Sequence, residues 1–229
     1  MLHQLVSQAP RFFTIYTAQF LLEAALTTLA LSALGCVVGL VAGTGIAVLR
    51  RTRSAPWWPA RVLSVLFVGL FRRIPFLVTL LLVFYASQIA GFEASTFLIA
   101  TVSVCLIATA YLAEIARAGF DAVHPNQWDS AAVSNFTFWQ TLRFVVFPQA
   151  WKVILPPAFG FFLLFIKDSA LASQIGLVEL TYAGRNLNNR AFSPVLSFGS
   201  ILLLYFALSY PLTLLGRSLE RRLAGSRHH

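Results

Sequence analysis

An all-α polytopic membrane protein with five transmembrane helices is the fold class this sequence predicts, and three observations predict it. The chain of 229 residues is 58% hydrophobic and only 11% charged, with a mean hydropathy of +0.76, whereas a soluble domain carries roughly a quarter of its residues as charges. Several apolar runs exceed the roughly 20 residues that cross a bilayer as a helix, so they are not the short core segments of a soluble α/β domain. The net charge of +9 comes from Lys and Arg that collect at the ends of those runs. That placement marks membrane topology and not a nucleic-acid surface, which would interleave basic and aromatic residues on one face.

The residues through Arg11 resemble a weak secretory n-region, but the apolar stretch that follows is too long and lacks a small-residue cleavage site, so it is expected to stay as a span. The first span, about residues 20–49, would measure roughly 45 Å as a helix, longer than a hydrocarbon core of roughly 30 Å. Gly35, Gly39 and Gly43 recur at four-residue spacing on one face, which predicts a seam for a second helix backbone. Gly43-Thr44-Gly45 follows no strand and precedes no Gly-Lys-Ser/Thr, so it is not a phosphate loop.

The second run, about residues 62–90, is interrupted by Phe71-Arg72-Arg73-Ile74-Pro75, and the third covers about residues 94–116. A polar loop over about residues 120–150 follows. The fourth span is expected at about residues 153–172, with Pro156 and Pro157 in its opening turn, where a missing N–H costs least, and the fifth at about residues 195–215. The whole chain, residues 1–229, reads as a single transmembrane domain.

Basic residues orient it. Arg50, Arg51, Arg53, Arg61, Arg117, Arg143, Lys152, Arg217, Arg221, Arg222 and Arg227 fall on one side, and Arg11, Arg185 and Arg190 on the other. The N-terminus is therefore expected outside and the C-terminus inside, with the polar loop in the cytoplasm. Cys36 and Cys105 sit in apolar runs without a nearby ligand and read as packing residues, and His3 and His124 are isolated. His228-His229 reads as a tail without chemistry. No nucleophile triad, carboxylate pair or metal spacing appears, so no catalytic, cofactor-binding or metal residue is assigned.

Over residues 126–147, Ala131, Val133, Phe136, Phe138 and Trp139 alternate with Gln127, Asp129, Ser134, Gln140 and Arg143. This predicts two short amphipathic helices with a bend. Asp129 suits the positive N-terminal end of the first helix, and Asn135 a left-handed turn. Phe136, Phe138 and Trp139 would form an exposed apolar patch that needs a partner.

The run Gln127-Trp128-Asp129-Ser130-Ala131-Ala132-Val133-Ser134-Asn135, followed after nine residues by Val145-Val146-Phe147-Pro148, resembles the EAA loop of ABC-importer permeases. In that loop Glu-Ala-Ala, a Gly three residues later and a distal aliphatic-Pro element dock the ATPase. Asp129 stands for the Glu, Ser130 for the first Ala and Asn135 for the Gly. The stretches Ala110 to Gly119, Leu155-Pro156-Pro157, Phe71-Arg72-x-Ile74-Pro75-Phe76-Leu77-Val78, Lys167-Asp168-Ser169-Ala170-Leu171-Ala172-Ser173 and Gly176-Leu177-x-Glu179-Leu180-Thr181 resemble the polar amino acid branch of those permeases, the histidine, glutamine and glutamate type.

The resemblance implies a type I, MetI-like importer fold, multi-pass in a bacterial cytoplasmic (inner) membrane. It also implies a cytoplasmic ABC ATPase dimer, a second permease subunit, identical or homologous, and an extracytoplasmic amino acid-binding protein, with membrane lipid around them. No Gly-x4-Gly-Lys-Ser/Thr occurs, so ATP and Mg belong to the partner ATPase and this chain carries no cofactor. Gln127, Asp129, Ser130, Ala131, Asn135, Phe138 and Pro148 are the expected ATPase-coupling residues. The function implied is ATP-driven import of polar amino acids through a pathway this chain helps form. The other reading is a non-transporting membrane scaffold whose loop binds a regulator.

Arg72 and Arg73 interrupt an apolar run, where a central cation costs at least about 2.5–3.5 kcal/mol unless paired or hydrated. Arg72 either meets a substrate carboxylate or has a structural role, pairing with Glu114 or capping the carbonyls freed by Pro75. Arg73 is an extra cation relative to that branch, and either tunes substrate choice or is structural. Glu114 reads as an Arg partner or an ammonium ligand. Lys167 and Asp168, adjacent and so about 100° apart on a helix, are each expected to pair with another span. Tyr85, Gln88 and Gln174 are candidate pathway or interfacial groups.

Overall fold

The computed structural model describes residues 2–52 and 55–224. Arg53, Arg227, His228 and His229 of the topology and tail readings lie outside the described residues. Among the described residues every regular element is helical: α1 (Leu2–Phe12), α2 (Ile15–Arg51), α3 (Trp58–Phe71), α4 (Phe76–Ile89), α5 (Thr96–Asp121), α6 (Pro125–Val133), α7 (Phe138–Gln140), α8 (Phe147–Asp168), α9 (Leu180–Asn189) and α10 (Pro194–Ala224). Four helical stretches are long and apolar enough to cross a membrane, and five if the bent pair Ala55–Phe71 and Phe76–Ile89 counts as one span.

The second apolar run is therefore not one straight helix, because the chain bends by 112° at its interruption. Pro75 forces the residue before it out of the helical region and then serves as the N-cap of α4 at φ −59, ψ 142. The helices α2, α5 and α10 also run past the apolar limits expected for them. Their backbone ladder continues through interfacial charges such as Arg50, Arg51, Arg217, Arg221 and Arg222, which suit a helix C-terminus. Pro156 and Pro157 are not in an opening turn but inside α8. That helix starts earlier, at Phe147, with Pro148 as its second residue.

The chain divides into two compact units. One comprises Met1–Gly35, Pro75–Val104 and Phe162–Thr213. Its core gathers Phe12, Leu21, Ala24, Ala25, Leu180, Ala183, Leu187 and Ile201. Phe12 meets Phe192 edge-on at 5.3 Å, and the Leu180 N–H donates to the Thr28 hydroxyl at 3.3 Å. The buried Phe12 seats α1, a helix not expected before the first span at about residues 20–49.

The other unit comprises Cys36–Ile74, Cys105–Phe161 and Leu214–His229. Its core holds Ala47, Ala116, Phe120, Val123, Leu142, Val146, Ala150 and Ile154. The glycine seam forms as expected. A Cβ on Gly39 would stand 2.5 Å from Ala108 Cβ, and one on Gly43 would stand 2.6 Å from the Ala113 backbone nitrogen. Backbones that close pack only where one of them has no side chain.

Candidate functional site

The polar segment is built in the second unit. Pro125 opens α6 with its φ preset, and His124 caps it, Nδ1 accepting from the Asn126 N–H at 3.2 Å. Asp129 is consequently the fifth residue of α6 and not at its positive end. It is exposed, beside Asn126, Ser130, Val133 and Ser134 around a recess of about 480 Å³. Ala131 is buried and faces the core. Trp128 packs against that core under Arg51, whose guanidinium lies 4.8 Å over the ring while its Nη1 donates to Asp121 at 2.8 Å. The ends of α2 and α5 thus clamp α6.

Asn135 turns the chain at φ 58, the left-handed geometry its side chain tolerates best. Thr137 and Gln140 then form a reciprocal capping box that starts α7. The helix widens to a π-turn over Thr141–Val146 before running into α8. Phe138 is half-buried against the core, so it is not part of the exposed patch. The exposed large apolar residues of this segment are instead Val133, Phe136, Trp139 and Phe144, at 84%, 42%, 65% and 62%. Gln127 is held from α8 by Gln149, whose Nε2 donates to its Oε1 at 3.3 Å, and Pro148 lies exposed beside that contact.

A charged cluster lies in the same unit. The Glu114 carboxylate receives Arg50 at 3.4 Å and Arg72 at 3.7 Å, while Arg117 contacts it through both Nε and Nη2. Arg117 also reaches Asp121 at 2.5 Å. The Tyr111 hydroxyl donates to the Arg72 carbonyl at 3.2 Å, and the Arg72 guanidinium lies 5.7 Å from the Tyr111 ring. Of the two readings of Arg72, this geometry realises the pairing with Glu114. Arg73 is exposed, and its Nη1 donates to the Gly69 carbonyl at 2.6 Å, one turn back on α3.

The remaining candidates lie in the first unit. Tyr85 and Gln88 are exposed on α4, Gln88 beside Ser87, Phe92 and Glu93 in a recess of about 380 Å³. Lys167 is exposed and Asp168 half-buried at the end of α8. Contrary to expectation, neither forms an ion pair among the described residues. A fully buried carboxylate was missed, that of Glu179. It caps α9, accepting from the Tyr182 N–H at 2.7 Å, the Thr181 N–H at 2.9 Å and the Tyr205 hydroxyl at 2.9 Å. Burial raises its carboxyl above the ordinary range, with those donors pulling the other way. An acid between a Gly turn and an amphipathic helix was the signal for it. Among the described residues no group of His, Cys, Asp and Glu is placed to hold a metal ion.

Comparison with known proteins supplies the family. The profile described as "Binding-protein-dependent transport system inner membrane component" matches residues 35–225. A probable amino-acid ABC transporter permease protein, YckA of Bacillus subtilis (strain 168), is 30% identical over 86% of this chain and 86% of its own length. The glutamine transport system permease protein GlnP of Escherichia coli (strain K12) is 29% identical over 89% of this chain and 92% of its own. A crystal structure of an amino acid ABC transporter with histidines aligns with a TM-score of 0.82 at 27% identity, covering 91% of this chain and 96% of that one. The MetNI methionine ABC transporter in inward-facing form aligns at 0.78 with 20% identity and supports the fold alone. The chain belongs to the family of binding-protein-dependent transport system inner membrane components, and it is a permease subunit of an ABC importer.

Proposed function

We propose that this permease forms a translocation pathway for amino acids, driven through α6 by a separate ATPase. The relatives named above, which handle amino acids, support the cargo class. The observation that carries the coupling assignment is the joint geometry of α6. One side is clamped to the ends of α2 and α5 by Trp128 and Arg51, and the other offers Asp129 and the apolar residues Val133, Phe136 and Trp139 to solvent. A partner that moves α6 therefore moves the ends of two long helices with it, because the packed contacts are not compressible.

ATP and Mg are used in the partner, since this chain has no P-loop. An extracytoplasmic binding protein delivers the amino acid, a second permease completes the pathway, and the polar segment lies on the cytoplasmic side of a bacterial inner membrane with the N-terminus outside. Gln127, Asp129, Ser130, Ala131, Asn135 and Pro148 form or support the docking element, and Phe138 anchors it from within. Arg72 and Glu114 hold the break between α3 and α4. Arg73, Tyr85, Gln88, Lys167 and Asp168 are the polar groups offered to the pathway, Arg73 favouring substrates with a second negative group.

The test is reconstitution of the permease with its ATPase and binding protein, followed by uptake and solute-stimulated ATP hydrolysis for individual amino acids. Asp129→Arg is expected to abolish both signals and ATPase co-purification. Should it leave docking and uptake intact, the coupling assignment fails. Arg73→Ala is expected to lower acidic amino acid uptake relative to basic, and an unchanged ratio would remove Arg73 from selection.

A further inference from the structure

Arg50, Trp58, Arg61, Val62, Val65 and Leu66 line a recess of about 300 Å³ in the second unit. The α3 members recur at helical spacing on one stripe, and they are not the buried positions of that helix, which are Ser64 and Val68. Trp58, Val65 and Leu66 are 62%, 48% and 64% exposed. An aromatic rim thus joins a cationic end to an aliphatic floor.

The cationic end carries more charge than the described residues neutralise. Arg50, Arg51, Arg72 and Arg117 share the two carboxylates Glu114 and Asp121. Arg61 meets no carboxylate among the described residues, and its Nη1 donates to the Thr52 carbonyl. A guanidinium has five N–H donors, so Arg50 and Arg61 each keep donors after those contacts. No acidic side chain lines the recess, so nothing there would receive the cationic amine of a zwitterionic headgroup.

We propose that this recess binds one anionic phospholipid, its phosphate between Arg50 and Arg61, its glycerol region beside Trp58 and an acyl chain along Val62, Val65 and Leu66. A free phosphate would leave the aliphatic floor unused. A second copy of this chain, which carries a net +9, would bring further cations to a site that lacks anions. Basic recesses beside membrane helices select anionic headgroups, at about 1 kcal/mol for each cation near the surface.

The experiment places the assembled transporter in nanodiscs of equal phosphatidylglycerol and phosphatidylcholine and counts retained lipids by native mass spectrometry. Phosphatidylglycerol is expected to be retained over phosphatidylcholine. Arg61→Gln lowers its retention about fivefold, and Arg61→Lys keeps most of it. Val65→Trp fills the floor while leaving both cations, and lowers retention at an unchanged melting temperature, so it decides the matter should Arg61→Gln not fold. Equal retention of the two lipids, or parental retention by Val65→Trp, overturns the proposal. So does stripping of the lipid by excess inorganic phosphate, which would mark a simple anion site. Disulfide cross-linking of Leu66→Cys between two permease copies in the membrane would mark a protein interface and overturn it equally.

Discussion

Alanine substitution at two neighbouring glycines of α2 should move stability in opposite directions. A Cβ on Gly43 would lie 2.6 Å from the Ala113 nitrogen, 2.9 Å from the Leu112 carbonyl carbon and 2.9 Å from the Thr109 oxygen, whereas one on Gly45 meets nothing within 4 Å. Ordinary contact needs about 3.5–4.0 Å, so Gly43→Ala forces the facing backbones about 1 Å apart. Because only backbone can give way, the overpacking cost belongs near the top of the usual range, about 3 kcal/mol. The gain in helix propensity returns about 1 kcal/mol. The net loss of about 2 kcal/mol lowers the melting temperature by roughly 4–8 °C for a chain of this size, while Gly45→Ala raises it by roughly 2–4 °C. Gly35→Ala is a graded case, since its nearest obstacle is the Val104 side chain, with Cγ1 at 2.1 Å. Val104→Ala should restore part of that loss, and no side-chain change should restore Gly43→Ala. Tryptophan-fluorescence melting of the purified permease is the assay. A Gly43→Ala protein that melts at or above Gly45→Ala would refute the packing argument.

Three further outcomes are expected. Glu114→Gln strands the guanidiniums of Arg50, Arg72 and Arg117 in a partly exposed cluster and should cost about 1–3 kcal/mol, between exposed and buried pairs; an unchanged melting temperature would deny the cluster a structural role. Asn135→Gly should keep ATP-coupled uptake, whereas Asn135→Val, forced to φ 58, should cost about 1–3 kcal/mol locally and reduce uptake at normal abundance; equal uptake by the two would remove the turn from coupling. Glu179 has a raised carboxyl pKa in the fold, so its favourable contribution is complete below its unfolded pKa and is lost as pH rises through the raised one. The melting temperature of the parent should therefore fall relative to Glu179→Gln over that window. The amide variant carries a pH-independent deficit of about 1–3 kcal/mol from setting its N–H₂ against one or two of the three donors while its remaining oxygen still accepts, and a parent-minus-variant difference that does not change with pH would exclude the titration.

Features that depend on one residue's own chemistry were legible in the sequence. Asn135 reads as a left-handed turn because few side chains tolerate that backbone, and the glycine seam reads from a four-residue repeat alone. The pairing of Arg72 with Glu114 was legible as one of two alternatives, because a membrane cation needs an acceptor. What escaped depended on helix phase. Phe138 packs against the core, and Pro156 sits mid-helix because the π-turn over Thr141–Val146 carries the winding straight into α8, and no local propensity announces that extra residue. Asp129 was misplaced for a related reason, since Pro125 starts α6 one turn earlier than an acidic first turn would require. Glu179 was passed over because the usual N-caps are shorter polar residues, although its longer arm reaches two backbone N–H groups from the same position.

The break between α3 and α4 shows how one sequence motif resolves its own costs. Pro75 ends the helical run and frees carbonyls, and the two arginines before it would each be expensive if left alone in an apolar setting. Arg73 covers the Gly69 carbonyl, Tyr111 covers the carbonyl of Arg72, and the Arg72 guanidinium is held by Glu114. Cations and carbonyls therefore satisfy needs created within a few residues of one another, and the motif requires no bound solute to be stable. Arg73 is exposed and keeps four N–H donors beyond the one given to Gly69, so an anion reaching it would compete with water and need not displace the helix carbonyl. In the role proposed for it, those free donors would favour a carboxylate over a neutral amide, because charge-assisted bonds are roughly twice as strong.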